Sequence, residues 1–320
     1  MAEAKKAAKK SAKKATKKAS KKAVAKTAAK KVAAKAGAKK KKVSGYGMGK
    51  VDVVMSVDQV AKEAASIAAN SPTMKELDAL SPEPFLTIEN LRAGYGKMEI
   101  LHDFTLKVSK GQSLCLIGPN GAGKSTVLHS IFGFTNIFSG KITVNGNDVT
   151  SLTPSQKLSQ AGIAYILQDK SVFPGMTVEE NLLMGGFLKN KPAEAKAAAE
   201  MVFDKYSRLA DRRDKPAGVL SGGERRLLEI SRALVMNPDV LLVDEPSIGL
   251  EPRFIDMVFE ILDDLQRGDG KTIIMVEQNA KKGLDFADLG YVLVSGETAL
   301  ANEGKKLLAD PKVGRLFLGG

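Results

Sequence analysis

The chain has 320 residues, 43% of them hydrophobic, enough for a substantial core in one large domain or two modest ones. Its net charge is +13, but residues 1–50 hold 19 Lys against one acid, Glu3, so residues 51–320 are net acidic and do not have the charge of a nucleic-acid-binding fold. The one cysteine, Cys115, excludes an intramolecular disulfide and fits a reducing cytoplasm, and no apolar run approaches the roughly 18–20 residues of a membrane-spanning helix.

Residues 1–43 are almost entirely Ala and Lys, with no apolar h-region and no Arg, which argues against a secretory or mitochondrial leader. Dense like charge and the lack of an apolar face predict a disordered polycation. Contact with polyanions without specificity is expected of it, with anionic lipid or nucleic acid as the candidates. Residues 44–84 read as a linker with short helices. Ser56 and Gln59 form a capping-box pattern, Ser71-Pro72 looks like a helix start, and Pro82 and Pro84 punctuate its end.

From residue 85 to 320 the pattern becomes that of a folded domain. Phe85–Ile88 and Phe104–Val108 alternate as half-buried strands, and Cys115 sits in the apolar strand Ser113–Ile117 as a core thiol. Further apolar strands at Ile163–Leu167, Val240–Val243 and Thr272–Val276 alternate with helical stretches, which predicts a parallel sheet covered by helices. Between Thr177 and Lys215 the sequence is mostly helical, Ala193–Arg208 above all, and reads as a helical insertion.

Gly118-Pro119-Asn120-Gly121-Ala122-Gly123-Lys124-Ser125-Thr126 fits G-x-x-x-x-G-K-[ST] between a buried strand and a helix. Glycines at these places let backbone N–H groups turn inward around phosphate, and the helix adds its positive end. Lys124 would reach the β- and γ-phosphates of a nucleoside triphosphate and Ser125 would coordinate Mg²⁺, so this stretch by itself says only NTPase. Val240–Val243 ends in Asp244-Glu245, giving a carboxylate to hold Mg²⁺ and a second to polarise water. Leu220-Ser221-Gly222-Gly223-Glu224 is a second helix start with a capping box (Ser221, Glu224) and a glycine pair, for a helix running to about Asn237.

LSGGE resembles the signature of ABC ATPases, which contacts the γ-phosphate of ATP held by the opposite subunit. The resemblance covers residues 85–320. It implies an α/β P-loop cassette with a parallel sheet core, an antiparallel β subdomain and a helical subdomain, working as a nucleotide-sandwich dimer. It further implies that Tyr95 stacks on adenine and that Gln168 is the Q-loop glutamine, sensing Mg²⁺ beside Ser125 and Asp244. Gln278 stands at the switch position, where His is usual, and Glu251 stands where the D-loop usually has Asp. The amide of Gln278 can donate to a γ-phosphate but cannot become a cation. His102 and His129 stand apart from any Cys or His cluster and read as structural or solvent-facing.

Val276-Glu277-Gln278-Asn279, Asp244–Leu250, Thr177–Leu182 and the terminal Phe317-Leu318-Gly319-Gly320 resemble the LivF-type ATP-binding subunits of branched-chain amino acid transporters. That likeness implies a paralogous ATPase partner, two membrane permease subunits, a periplasmic solute-binding protein, and a place on the inner face of the plasma membrane. Gly222–Arg226 also resembles lipopolysaccharide-export ATPases, the nearest competitor. A soluble ABC-type ATPase acting on nucleic acid through the basic tail is the reading from a different class. One cassette without sustained heptads weighs against it.

Overall fold

The computed structural model describes residues 71–168 and 171–317. They belong to the unit Met55–Gly320. The basic tail, the Ser56–Gln59 capping pattern and the last three residues lie outside the described part. The first helix, α1 (Met74–Leu80), starts two residues later than Ser71-Pro72 suggests. Its N-cap is Thr73, whose hydroxyl accepts from Glu76 N while Glu76 reaches back to the Thr73 N–H.

β1 (Pro84–Tyr95) and β2 (Met98–Ser109) pair antiparallel and are both longer than their alternating segments. The reason is local. Asn90 and Asp103 take positive φ, 47° in each case, and the β1–β2 register shifts between Ile88 and Leu91. A bulge of this kind breaks the two-residue period while the strand continues. β4 (Asn136–Val144) and β5 (Asn147–Asp148) complete a four-stranded antiparallel sheet of order β2-β1-β4-β5.

The second sheet holds β3 (Ser113–Ile117), β6 (Ile163–Ile166), β7 (Val240–Asp244), β8 (Thr272–Val276), β9 (Leu289–Val294) and β10 (Glu297–Glu303). Its order is β10-β9-β3-β8-β7-β6, parallel from β9 to β6, with β10 antiparallel at the edge. Continuous apolar runs are what a sheet covered on both faces needs. Alternate residues feed two cores: Leu114, Leu116, Leu242 and Ile274 on one face, Cys115, Ile117, Leu241 and Ile273 on the other. Cys115 is fully buried, which pushes its thiol pKa up.

The first core is shared with the antiparallel sheet and with α2 (Lys124–Phe132). The second is shared with α8 (Pro252–Asp263), α9 (Ala280–Phe286) and α11 (Pro311–Phe317). Beside β6, before it in the chain, lies α3 (Pro154–Ser159), and α10 (Gly304–Ala309) follows β10. The helical insertion is α4 (Val178–Gly185), α5 (Pro192–Lys205) and α6 (Ser207–Ala210), broken at Tyr206 rather than running through to Arg208. These pack with α7 (Gly222–Leu234) around Val178, Leu182, Phe203, Leu227 and Leu228. α7 stops at Leu234, short of Asn237, whose φ of 49° turns the chain toward β7.

Candidate functional site: a phosphate-loop and carboxylate centre

Four neighbouring strands, β3, β8, β7 and β6, run parallel, so their C-terminal ends share one edge. Every residue expected to do chemistry at a triphosphate lies at or just past one of these ends, apart from Ser221–Glu224.

The loop after β3 is shaped by its glycines. Gly118, Gly121 and Gly123 have φ of 150°, 82° and 102°. A Cβ at Gly118 would stand 2.2 Å from Leu293 O, so any side chain there displaces the loop from β9. Ala122 N donates to Pro119 O, and Gly296 N donates to Ala122 O, which fixes the loop from both sides. Asn120 and Gly121 are exposed at its tip, and Thr126 is buried in the first turn of α2. Lys124 folds back, its Nζ donating to Gly118 O at 2.9 Å and Pro119 O at 3.1 Å. Burial lowers its pKa, opposed by the charges of Glu245 and Asp244.

Asp244 ends β7 and is buried. It accepts from Ser125 Oγ at 3.2 Å on one oxygen and from the Tyr165 phenol at 2.8 Å on the other. Burial and Asp244 push the Tyr165 pKa up, so the phenol stays a donor. Glu245 follows at a φ of 44°, its N–H donating to Val276 O. Its pKa is raised, first by burial, then by Asp244 and Glu277, with Lys124 opposing. Gln168 Nε2 donates to Glu245 Oε2 at 2.7 Å, so the amide rests on Glu245 rather than on Ser125 or Asp244.

Tyr95, at the end of β1, is exposed, and its phenol hydrogen-bonds His129 Nδ1 on α2. The His129 ring also packs against Phe134 and Tyr165, and burial lowers its pKa. Gln278 is exposed just past β8. Glu251 is an exposed N-cap of α8, paired with Arg253 at 3.1 Å.

Ser221 caps α7. Its hydroxyl accepts from Glu224 N, while Glu224 Oε2 accepts the Ser221 N–H at 2.9 Å, which lowers the Glu224 pKa. The two glycines differ. A Cβ at Gly223 would meet Phe254 Cδ1 at 2.3 Å, whereas one at Gly222 would find only Leu250, at 3.7 Å. Gly222, Gln168, Arg226, Ile248 and Gly249 line one cleft of about 470 Å³, so the signature-like turn opens toward the Gln168 loop.

Three contributors have partners that no motif announces. Tyr165 holds Asp244 from β6. Arg226, buried and paired with Glu229, donates from Nη1 to Leu167 O at 2.8 Å and so joins α7 to the loop before Gln168. Glu277 takes up Ser247. The one signal for Tyr165 in the sequence is a phenol placed two residues before the end of an apolar strand.

Residues 101–248 match the family model described as ABC transporter. The chain is 42% identical to the high-affinity branched-chain amino acid transport ATP-binding protein BraG of Pseudomonas aeruginosa, over 73% of this chain and 100% of that one. The chain belongs to the ABC transporter ATP-binding family. This cassette is also 38% identical to the probable LivF protein of Archaeoglobus fulgidus, over 72% of this chain and 96% of that one. It is 33% identical to the lipopolysaccharide export protein LptB of Haemophilus influenzae, over 73% of this chain and 97% of that one. The solved nucleotide-free cassette of an ABC transporter superposes with a TM-score of 0.65 at 31% identity, covering 73% of this chain and 98% of that one. A structure of an ABC transporter cassette in its ADP conformation gives the same TM-score of 0.65. Among the described residues of this cassette no helix is long and apolar enough to cross a membrane.

Proposed function

We propose that this chain hydrolyses ATP to energise import of branched-chain amino acids or related amino acids and amides, as one cassette of a heterodimer beneath two permease subunits. The observation that carries the hydrolytic part is the convergence of Lys124, Ser125, Asp244, Gln168 and Glu245 at one sheet edge. The backbone N–H groups of 118–126 and the start of α2 grip the triphosphate. Lys124 exchanges its loop carbonyls for phosphate oxygens, and Glu245 takes a hydrogen bond from the attacking water while Gln168 holds it in line. Tyr95 offers its ring to adenine, and Gln278 donates to the γ-phosphate. The partner's copy of the Ser221–Glu224 turn closes over that phosphate, and the open space at Gly222 leaves room for the approach.

The donor set beside Ser125 suits Mg²⁺. A hydroxyl and a carboxylate oxygen 3.2 Å apart are hard ligands, and Mg²⁺ needs only one or two from protein when phosphates and water supply the rest. Ser125 and Asp244 would hold it, with Gln168 turning its amide oxygen inward. The ion supplies charge neutralisation across the phosphates.

The cargo reading is supported by the 42% identity to BraG along its whole length, against 33% to the lipopolysaccharide-export protein. It brings a periplasmic solute-binding protein and a position at the cytoplasmic face of the membrane. Affinity purification of the full chain from membranes should bring down two permease subunits, and reconstituted vesicles should take up leucine in an ATP-dependent way. Recovery of lipopolysaccharide-export membrane chains instead would overturn the cargo, and a Glu245→Gln variant that still turned over ATP would overturn the mechanism.

A further inference from the structure

We infer that Glu277 is a positioning residue for hydrolysis, tying the turn after Glu245 to the turn that presents Gln278. This rests on the ATPase reading above and adds a residue to it.

Glu277 directly follows β8 and is 2% exposed. Its Oε1 accepts from Ser247 Oγ at 2.5 Å and from Asn279 N at 3.0 Å, and its Oε2 accepts from Ser247 N at 3.4 Å. All three donors are uncharged, and no ion pair engages Glu277 among the described residues. A carboxylate kept out of water without a cation costs free energy that a neutral side chain would avoid. What Glu277 provides in return is geometry, because hydrogen bonds to a charged acceptor are short and strong.

The place of the tie matters. β7 and β8 are in register as far as Asp244 opposite Val276, with Glu245 N donating to Val276 O. Beyond that rung the two chains leave the sheet, one into Glu245–Leu250 and the other into Glu277–Asn279. The Ser247–Glu277 contact is the next link between them. On the Ser247 side, Ile248 N donates to Glu245 O and Leu250 N to Ser247 O, so the turn is held closed. On the other side, the Asn279 side chain accepts from Lys282 N and caps α9. Gln278 is therefore suspended between two anchored neighbours, and Glu245 sits two residues from a third anchor. α9 lies flush against the Glu277 stem. A Cβ at Gly283 would come 3.0 Å from Glu277 Cβ and 2.6 Å from Cys115 Sγ.

The test uses the full chain assembled with its partner cassette and permease subunits, carrying Glu277→Gln, Glu277→Ala, Ser247→Ala, Ser247→Thr or the Glu277→Ala/Ser247→Ala pair. Turnover, nucleotide affinity by fluorescent ATP-analogue binding, and melting temperature are measured on each. Loss of positioning predicts a kcat at least about tenfold lower with affinity little changed. The double variant should be no worse than the single ones, and Ser247→Thr, which keeps the hydroxyl, should lose less than Ser247→Ala. Unchanged kcat in folded Glu277 and Ser247 variants overturns the inference, as do losses that multiply in the double variant. Hydrogen exchange gives a readout independent of turnover. Amides of 247–250 and 278–280 should exchange faster together in Ser247→Ala, and unaltered exchange overturns the tie. Wild-type protein that hydrolyses no ATP would instead remove the ATPase reading, while exchange still decides whether the tie exists.

Discussion

Gln168 donates its amide N–H to Glu245 Oε2 at 2.7 Å, joining the loop after β6 to the carboxylate after β7. These loops leave neighbouring strands of the parallel sheet, so the contact links whatever moves the Gln168 loop to the group that polarises water. Glu245→Gln should lower kcat by about 10²–10⁴ with ATP affinity kept, in coupled-enzyme turnover and equilibrium binding. Gln168→Ala should lower kcat less.

The phenol of Tyr165 supports Asp244 from β6. Tyr165→Phe removes a hydrogen bond to a charged acceptor and should destabilise the fold by about 1.5–3 kcal/mol, read by urea denaturation. Mg·ATP binding should weaken, since Asp244 loses the partner that orients it.

Gly222 and Gly223 should separate cleanly. Gly223→Ala forces a Cβ to within 2.3 Å of Phe254 and should cost about 1–3 kcal/mol of stability. Gly222→Ala meets only Leu250, at 3.7 Å, and should leave the melting temperature nearly unchanged. In a Glu245→Gln background it should nonetheless suppress ATP-driven dimerisation, followed by light scattering.

Lys157 on α3 is fully buried, its Nζ donating to Ser130 O, and burial lowers its pKa from 10.5 to about 8. Below pH 8 both folded and unfolded chains carry the proton, and the cost of the buried charge is fully felt. Between pH 8 and 10.5 the unfolded chain binds more protons than the folded one, so this group's contribution makes stability rise with pH. Urea denaturation across that window should show the rise in the wild type, and Lys157→Met should flatten it.

Much of this site is legible in the sequence because its residues occur in contiguous motifs whose geometry is local. Gly118–Thr126 needs only a strand before it and a helix after it, and Ser221 with Glu224 closes a box within one turn. The contacts of Tyr165, Arg226, Glu277 and Ser247 are not legible there, even where the residues fall inside quoted segments. Their partners lie 79, 59 and 30 positions away in sequence and come close only through strand order. The antiparallel strands outrun their alternating segments for another reason. At Asn90 and Asp103 left-handed residues shift the phase of alternation, so the pattern ends before the strand does. The helix is capped at Thr73 rather than at the serine–proline pair two residues earlier because Glu76 completes a capping box with Thr73, while the matching position three after Ser71 holds Met74.

The shared edge of β3, β8, β7 and β6 has an evolutionary consequence. The spacing between the reacting groups is inherited from main-chain ladders and is largely indifferent to which apolar residues fill the cores on either side. Volume-conserving swaps within Leu241–Val243 or Ile273–Met275 should cost some stability but leave the spacing in place, whereas inserting or deleting one residue at the mouth of any of these strands displaces its catalytic group against the other three at once.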